Sequence, residues 1–357
     1  GARLIVERRD ETTHQVYVTY LLENHQANWR PPAGLRWVGI TELDELTFTH
    51  PQQRVAVEAY LDEAALETVP VLRVPWARPG WQRDTETWIR AQLVQLGNPA
   101  TGPIEQIKHW FLSCILQAPT AHGQVYFKVT NSSPLMVNEA VVTQALAQLF
   151  PHFMPKPLWV DPVRQWMLLA DFGSEVGWGA PVEIRAEALR DLARLKIESA
   201  GQLAELLAIG CIDRRLAQLA EQIDPLLNDA VMLAYVDVEK QQQLWAAAPR
   251  LKALCAQLDQ YAVPATLVHG DMHMSNVARR TEAAPATGHY LFFDWSDACI
   301  AHPFLDLIEL LDEGRETRGA LGVQQIPKAS PQHRFGGEPK EFLRSWVHAD
   351  HPVVFIE

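Results

Sequence analysis

Two short apolar runs, each breaking at once into acidic and amide side chains, limit this chain more than any other feature. The first is Thr266–Val268, followed by His269-Gly270-Asp271-Met272-His273-Met274-Ser275-Asn276; the second is Tyr290–Phe293, followed by Asp294-Trp295-Ser296-Asp297-Ala298. Such runs read as strands whose polar tips carry the chemistry. Asp271 projects from a loop that a glycine opens. Asn276, from the same loop, offers an uncharged amide oxygen, and Asp294 comes off the end of the next strand. An amide oxygen and a carboxylate on neighbouring strand tips suit a hard cation such as Mg²⁺, which keeps waters and phosphate oxygens as its other ligands. Asp271 remains to accept a proton from a hydroxyl nucleophile. That division of labour is what phosphoryl transfer needs.

The rest of the chain supplies an α+β frame. Residues 14–22 alternate and carry β-branched and aromatic side chains, so they read as a strand, with a shorter one at Trp37–Ile40. Pro51 suits a first helical position, and a helix is expected from there to about Leu66. A proline-rich linker over 70–81 precedes a second helix near Asp84–Leu96. Residues 106–117 and 124–130 are expected to form a hairpin. Asn138 can cap a helix from Glu139 to Phe150, and 165–170 read as a strand ending at Asp171-Phe172-Gly173. Leucines at helical spacing fill 183–260. A helix to about Leu311 and a weak one near Glu341–His348 complete the pattern. Strands first, helices next and two short strands with polar tips describe a bilobal α+β enzyme. The expected organisation is 1–100 as a β-plus-helix module with linker, 101–173 as a β-rich lobe ending in a hinge, and 174–357 as a helical lobe with the polar loops.

Composition excludes other classes. The formal charge of −12 argues against non-specific nucleic-acid binding, which needs clustered cations. No run approaches a membrane span. Cys114, Cys211, Cys255 and Cys299 lie far apart, so a reducing, cytoplasmic setting and buried small side chains are expected. Gly1 in place of Met points to a trimmed start.

The order H-G-D-x-H-x-x-N, apolar strand, D-W-x-D-A resembles the aminoglycoside phosphotransferase and choline kinase-like family, small-molecule kinases with a protein-kinase-like fold. The resemblance implies Asp271 as catalytic base and Asn276 and Asp294 as magnesium ligands. It gives His269 and His273 the task of holding the loop and matches Asp297 to an acidic position that can also cap a helix. Pro303 and Asp306 match a downstream P-x-x-D-L whose Asp braces the loop. Upstream, Lys128 on a strand and Glu139 on the next helix match the pair that holds nucleotide phosphates in kinases. Asp171-Phe172-Gly173 spells a metal motif but precedes the catalytic loop, so it is read instead as the hinge, with backbone groups near Leu169 to Asp171 meeting adenine. Only Gly123 lies in the turn Gln117–Gly123, so no glycine-rich phosphate loop is present. The expected cofactors are Mg²⁺ and ATP, with GTP open. The expected partner is a small hydroxyl acceptor, with the acidic charge favouring an amine-bearing one. The rival reading is a nucleotide-binding regulatory module without turnover. Residues 35–61 are similar to the tail of a Nudix hydrolase but lack its acidic box, so only a structural role is expected of them.

Overall fold

In the computed structural model the described residues are 2–9, 16–22, 30–31, 33–34, 36–48, 51–64, 74–78, 80–132, 136–234, 236–280, 290–307 and 355–356. The chain divides into two compact units, Gly1–Asn131 with Gln325–Glu357, and Ser132–Gln324.

In the first unit, β1 (Ala2–Arg9) pairs antiparallel with β2 (Val16–Leu22). A short β3 (Trp37–Val38) is followed by α1 (Pro51–Ala64) and α2 (Trp81–Gln95). A three-stranded antiparallel meander then runs through β4 (Glu105–His109), β5 (Ser113–Thr120) and β6 (Gly123–Thr130). Its register sets Cys114 opposite Val129, Leu116 opposite Phe127 and Ala118 opposite Val125, all buried. Period-2 alternation thus delivers one apolar face. Trp81 and Trp88 of α2 each lie 6.0 Å from the Phe127 ring.

The single strand expected over 106–117 is in fact two. The chain reverses at Trp110–Leu112, where the Trp110 amide donates to the Ser113 carbonyl and its indole to Ser113 Oγ at 2.8 Å. No glycine or proline marks this turn, and the exposed Phe111 at its tip preserves an apolar appearance in the sequence.

The second unit opens with α3 (Glu139–Leu149). Asn138 Oδ1 accepts from the Val141 amide as its cap. The hairpin of β7 (Pro157–Asp161) and β8 (Trp166–Ala170) leads to β9 (Ser174–Glu175). The region expected to be continuously helical contains α4 (Val182–Ser199), α5 (Leu203–Ala208), β10 (Ile212–Asp213), α6 (Leu216–Leu227), α7 (Ala230–Leu233) and α8 (Val238–Asp259). Four short strands follow: β11 (Thr266–Val268), β12 (Val277–Arg279), β13 (Tyr290–Phe292) and β14 (Cys299–Ala301). They form two small sheets, β10-β14-β11 and β13-β12-β9. Strands as short as β10, β12 and β14 leave too little sequence for a periodicity to declare itself.

The core of this unit lies under those sheets. Leu192 and Leu195 of α4, Leu146 of α3, Leu206 of α5 and Tyr290, Phe292 and Trp295 pack together there. Helix α4 is bonded directly to β11, because Ser199 Oγ accepts from the Leu267 amide at 3.0 Å. Among the described residues no helix is long and apolar enough to cross a membrane. All four cysteines are free and buried, as expected, and burial pushes the Cys211 thiol up to about 12 and the Cys299 thiol up to about 11. The helices expected after Asp306 and near 341–348 lie outside the described residues, apart from a short turn at Pro303–Asp306.

Leu195 is fully buried in this core, so Leu195→Ala removes apolar contacts and leaves a cavity. We expect a loss of about 3 kcal/mol in urea unfolding; a loss below about 1 kcal/mol contradicts the packing described.

Candidate active site

Strand β11 delivers the chain into a buried polar clamp. Asp306, 3% exposed, accepts from the His269 amide through Oδ2 at 3.0 Å and from the Gly270 amide through Oδ1 at 2.9 Å. Its Oδ2 also accepts from Lys196 Nζ at 2.6 Å, and the same ammonium reaches the Leu267 carbonyl at 3.3 Å. Two consecutive amides on one carboxylate fix the plane of the peptide leading to Asp271. The expected bracing role of Asp306 has its geometry here. Lys196 was not anticipated, although it sits on α4 at the spacing of the buried Leu192 and Ser199, and a charge on an apolar helical stripe is a signal for a buried pair.

Gly270 makes the turn possible. Its φ is +87°, and a Cβ there would lie 2.6 Å from the Asp297 carbonyl oxygen. His269, fully buried against Trp295 with ring centroids 4.6 Å apart, donates from Nε2 to the Phe293 carbonyl at 2.8 Å. A carbonyl only accepts, which assigns the proton to Nε2 and leaves Nδ1 facing the Asp271 amide at 3.4 Å. His269 therefore ties the Asp271 loop to the strand that ends at Asp294.

Asp271 is about half exposed, and its Oδ2 lies 3.7 Å from His273 Nε2. The His273 imidazole holds this carboxyl below its usual range, helped by His269 and opposed by partial burial and the Asp294 charge. The His273 ring is stacked on Trp178, centroids 4.6 Å apart and planes at 22°. Trp178 has no motif context in the sequence and was missed. Asn276, 5% exposed, donates from Nδ2 to the Asp271 carbonyl at 2.9 Å. That bond commits the amide nitrogen and leaves Oδ1 as the acceptor atom. The Phe293 amide donates to the Asn276 carbonyl at 3.1 Å, so Asn276 and Asp294 flank a bonded junction. Asp294 has φ +69° and ψ +58°, left-handed for a non-glycine residue. Such strain persists only where the surroundings impose it.

This donor set fits Mg²⁺. Among the described residues no group of three or more His, Cys, Asp or Glu is arranged to hold a metal; an amide oxygen and one carboxylate, completed by water and phosphate oxygens, match a hard octahedral cation.

Asp297 accepts from Ser296 Oγ at 2.9 Å, and burial raises its carboxyl above the usual range, with the Asp271 charge adding to the effect. Leu169 is buried on β8 opposite Pro157. Asp171 turns its carboxylate back to accept the Gly173 amide at 3.0 Å, while the Phe172 and Phe293 rings meet at 5.3 Å. Gly173, at φ +129°, comes so close to the Arg279 carbonyl that a Cβ would lie 1.9 Å from it. Asp171-Phe172-Gly173 thus leads the chain from β8 toward its pairing with β12. Glu139 is buried at the start of α3. Lys128 is buried on β6 of the first unit, opposite Ile115.

The sequence profile of the phosphotransferase enzyme family matches residues 120–335, more than half of the chain. The chain belongs to that family. It is a phosphotransferase, and its mixed helices and antiparallel strands are of the α+β class expected from its motifs. Among solved structures, this phosphotransferase is similar to a macrolide 2′-phosphotransferase type I, with 17% identity over 69% of this chain and 85% of that one and a TM-score of 0.43. It is similar also to choline kinase LicA from Streptococcus pneumoniae, with 13% identity over 70% and 84% and a TM-score of 0.45. An aminoglycoside phosphotransferase from Streptomyces rimosus shows 19% identity over 66% and 85%, with a TM-score of 0.37. No curated protein matches the chain.

Asp306→Asn leaves the buried Lys196 ammonium without its counter-charge. We expect about 3 kcal/mol of destabilisation in chemical unfolding, and a double Asp306→Asn, Lys196→Met variant that loses less than the sum of its parts. Full additivity contradicts the clamp.

Proposed function

We propose that this phosphotransferase moves the γ-phosphate of a nucleoside triphosphate to a hydroxyl of a small molecule, with Asp271 as the base. The observation that carries the reading is the convergence of Asp271, Asn276 and the Asp294 junction on one loop system, with the Asn276 amide turned so that its oxygen is the atom left to coordinate.

In this reading Asp271 receives the acceptor hydroxyl and orients it toward the phosphorus. A carboxylate held below its usual range is a weak base, which suits a loose transition state in which the nucleophile needs alignment more than early deprotonation. Asn276 Oδ1 and the Asp294 carboxylate would hold Mg²⁺, which would neutralise charge on the transferred phosphoryl group. His269 and His273 keep the loop in place. Lys128 and Glu139 carry the expected contribution to phosphate binding, and backbone groups near Leu169 and Asp171 that to the base. ATP is the proposed donor, with GTP as the alternative that those backbone groups would select. Residues 101–173 and 174–357 then serve as the nucleotide-holding and catalytic portions, and 1–100 as an accessory module. The charge of −12 favours an acceptor bearing an amine.

The test is transfer from Mg·ATP to a panel of amino alcohols and aminoglycosides. Asp271→Ala is expected to lose about a hundredfold or more in kcat while nucleotide affinity persists; unchanged turnover refutes the assignment. The pH profile gives a second test. A depressed Asp271 stays ionised as pH falls through the ordinary aspartate value, so the acid limb of kcat/KM lies below that of an unperturbed aspartate. His273→Gln removes the largest depressing influence and is expected to move that limb upward; an unmoved limb contradicts the role given to His273.

A further inference from the structure

The backbone of His273 is fixed by hydrogen bonds, and its ring is not. The His273 carbonyl accepts from the Asn276 amide at 2.9 Å, which closes the short turn Met274–Asn276. The side chain is largely buried. Its Nδ1 has no hydrogen-bond partner among the described residues. Its Nε2 stands 3.7 Å from Asp271 Oδ2, near enough for charge to act and too far for a directed hydrogen bond. The torsion that sets the plane of an imidazole is broad and soft. Another contact has to fix which edge of this ring meets Asp271.

Trp178 supplies that contact. The two rings stack with centroids 4.6 Å apart and planes at 22°. The chain around Trp178 is itself held against the Asp271 loop. Beyond the pairing of β9 with β12, the Val176 amide donates to the Val277 carbonyl at 2.8 Å and the Gly177 amide to the Met274 carbonyl at 3.1 Å. The second bond lands on the residue next to His273. Gly177 then takes φ +78°, a turn that glycine makes without strain, and Trp178 follows it. Core burial does not account for this tryptophan. Val176 packs against the core of the unit, whereas Trp178 is 41% exposed. So exposed a ring contributes little by burial; what it offers is an aromatic face to one imidazole.

We propose that Trp178 is a positioning residue for phosphoryl transfer: its indole fixes the plane of the His273 imidazole, and that imidazole holds the Asp271 carboxylate in line for the acceptor hydroxyl. The inference rests on the reading of Asp271 as the base. Small displacements of a reacting group are costly to the chemical step. Because Trp178 acts through His273, its loss is felt in kcat and not in nucleotide binding.

The experiment compares Trp178→Leu with Trp178→Phe in the full chain by two readouts. The first needs no turnover. In ¹H–¹³C spectra with labelled histidines, the protons of a ring stacked on an indole are shifted upfield by its ring current, and His273→Gln identifies the His273 signals by their loss. The upfield shift is expected in the wild type, smaller but present in Trp178→Phe, and lost in Trp178→Leu. The second readout is transfer from Mg·ATP to the fastest acceptor among the amino alcohols and aminoglycosides. Trp178→Leu is expected to lower kcat about tenfold with KM for ATP unchanged, and Trp178→Phe to recover most of that loss. In a His273→Gln background the same Trp178→Leu change is expected to cost less than about twofold further. A tryptophan that only stabilised the fold would show neither the rescue nor this coupling. Signals of His273 that do not move in Trp178→Leu, a change in KM for ATP in place of kcat, or full additivity with His273→Gln overturns the proposal. A wild type that transfers phosphate to no acceptor refutes instead the reading of Asp271 as base, and the His273 shifts then decide by themselves whether Trp178 holds the ring.

Discussion

The Asp306 carboxylate is the constraint on which the candidate site depends. One buried acid accepts from two consecutive amides, His269 and Gly270, and from the Lys196 ammonium. Each of those partners belongs to a different task. The amides set the direction in which Asp271 leaves β11. The ammonium joins α4 to the turn at Pro303–Asp306 and, through the Leu267 carbonyl, to β11 itself. Removing an ion pair from water has a desolvation cost that the pair alone does not always recover. Here the carboxylate has further donors, and the gain is directional: a short loop is held by groups that tolerate little displacement.

From that clamp the loop is fixed in steps, each by a polar group with one workable partner. The Gly270 turn permits contact with the Asp297 backbone, which no side chain at 270 would allow. His269 crosses to the Phe293 carbonyl, and Asn276 closes back on the Asp271 carbonyl. The left-handed conformation of Asp294 is imposed on a non-glycine residue between the end of β13 and the turn at Trp295–Asp297. Electrostatic stabilisation is effective when donors and acceptors need not reorganise, and this network shows how a loop of ordinary residues is kept from reorganising.

Much of this was legible in the sequence because strand tips announce themselves. An apolar run ending in Gly-Asp, and a second ending in Asp-Trp, place polar side chains where a chain must leave a sheet. The Asn138 cap, the start of α1 at Pro51 and the bracing position of Asp306 were readable for similar local reasons. What was not legible was long-range or very short. Lys196 precedes Asp306 by more than a hundred residues, so only its place on an apolar stripe hinted at a buried partner. Trp178 meets His273 across a loop with no periodicity. Strands β10, β12 and β14 draw their identity from neighbours rather than from their own two or three residues. The reversal at Trp110–Leu112 was hidden because indole and hydroxyl groups make the turn, without the usual glycine or proline.

We propose that Asn276 and Asp294 form, with Asp271, one metal-dependent phosphoryl-transfer site. The most direct measurement is thermal unfolding of the wild type and of Asp294→Ala with ATP or GTP, with and without Mg²⁺. A ligand that binds the native state raises its midpoint by mass action. A nucleotide-dependent rise that needs Mg²⁺ is expected in the wild type and is expected to be lost in Asp294→Ala. A rise of equal size in both proteins, or one indifferent to the metal, would contradict it.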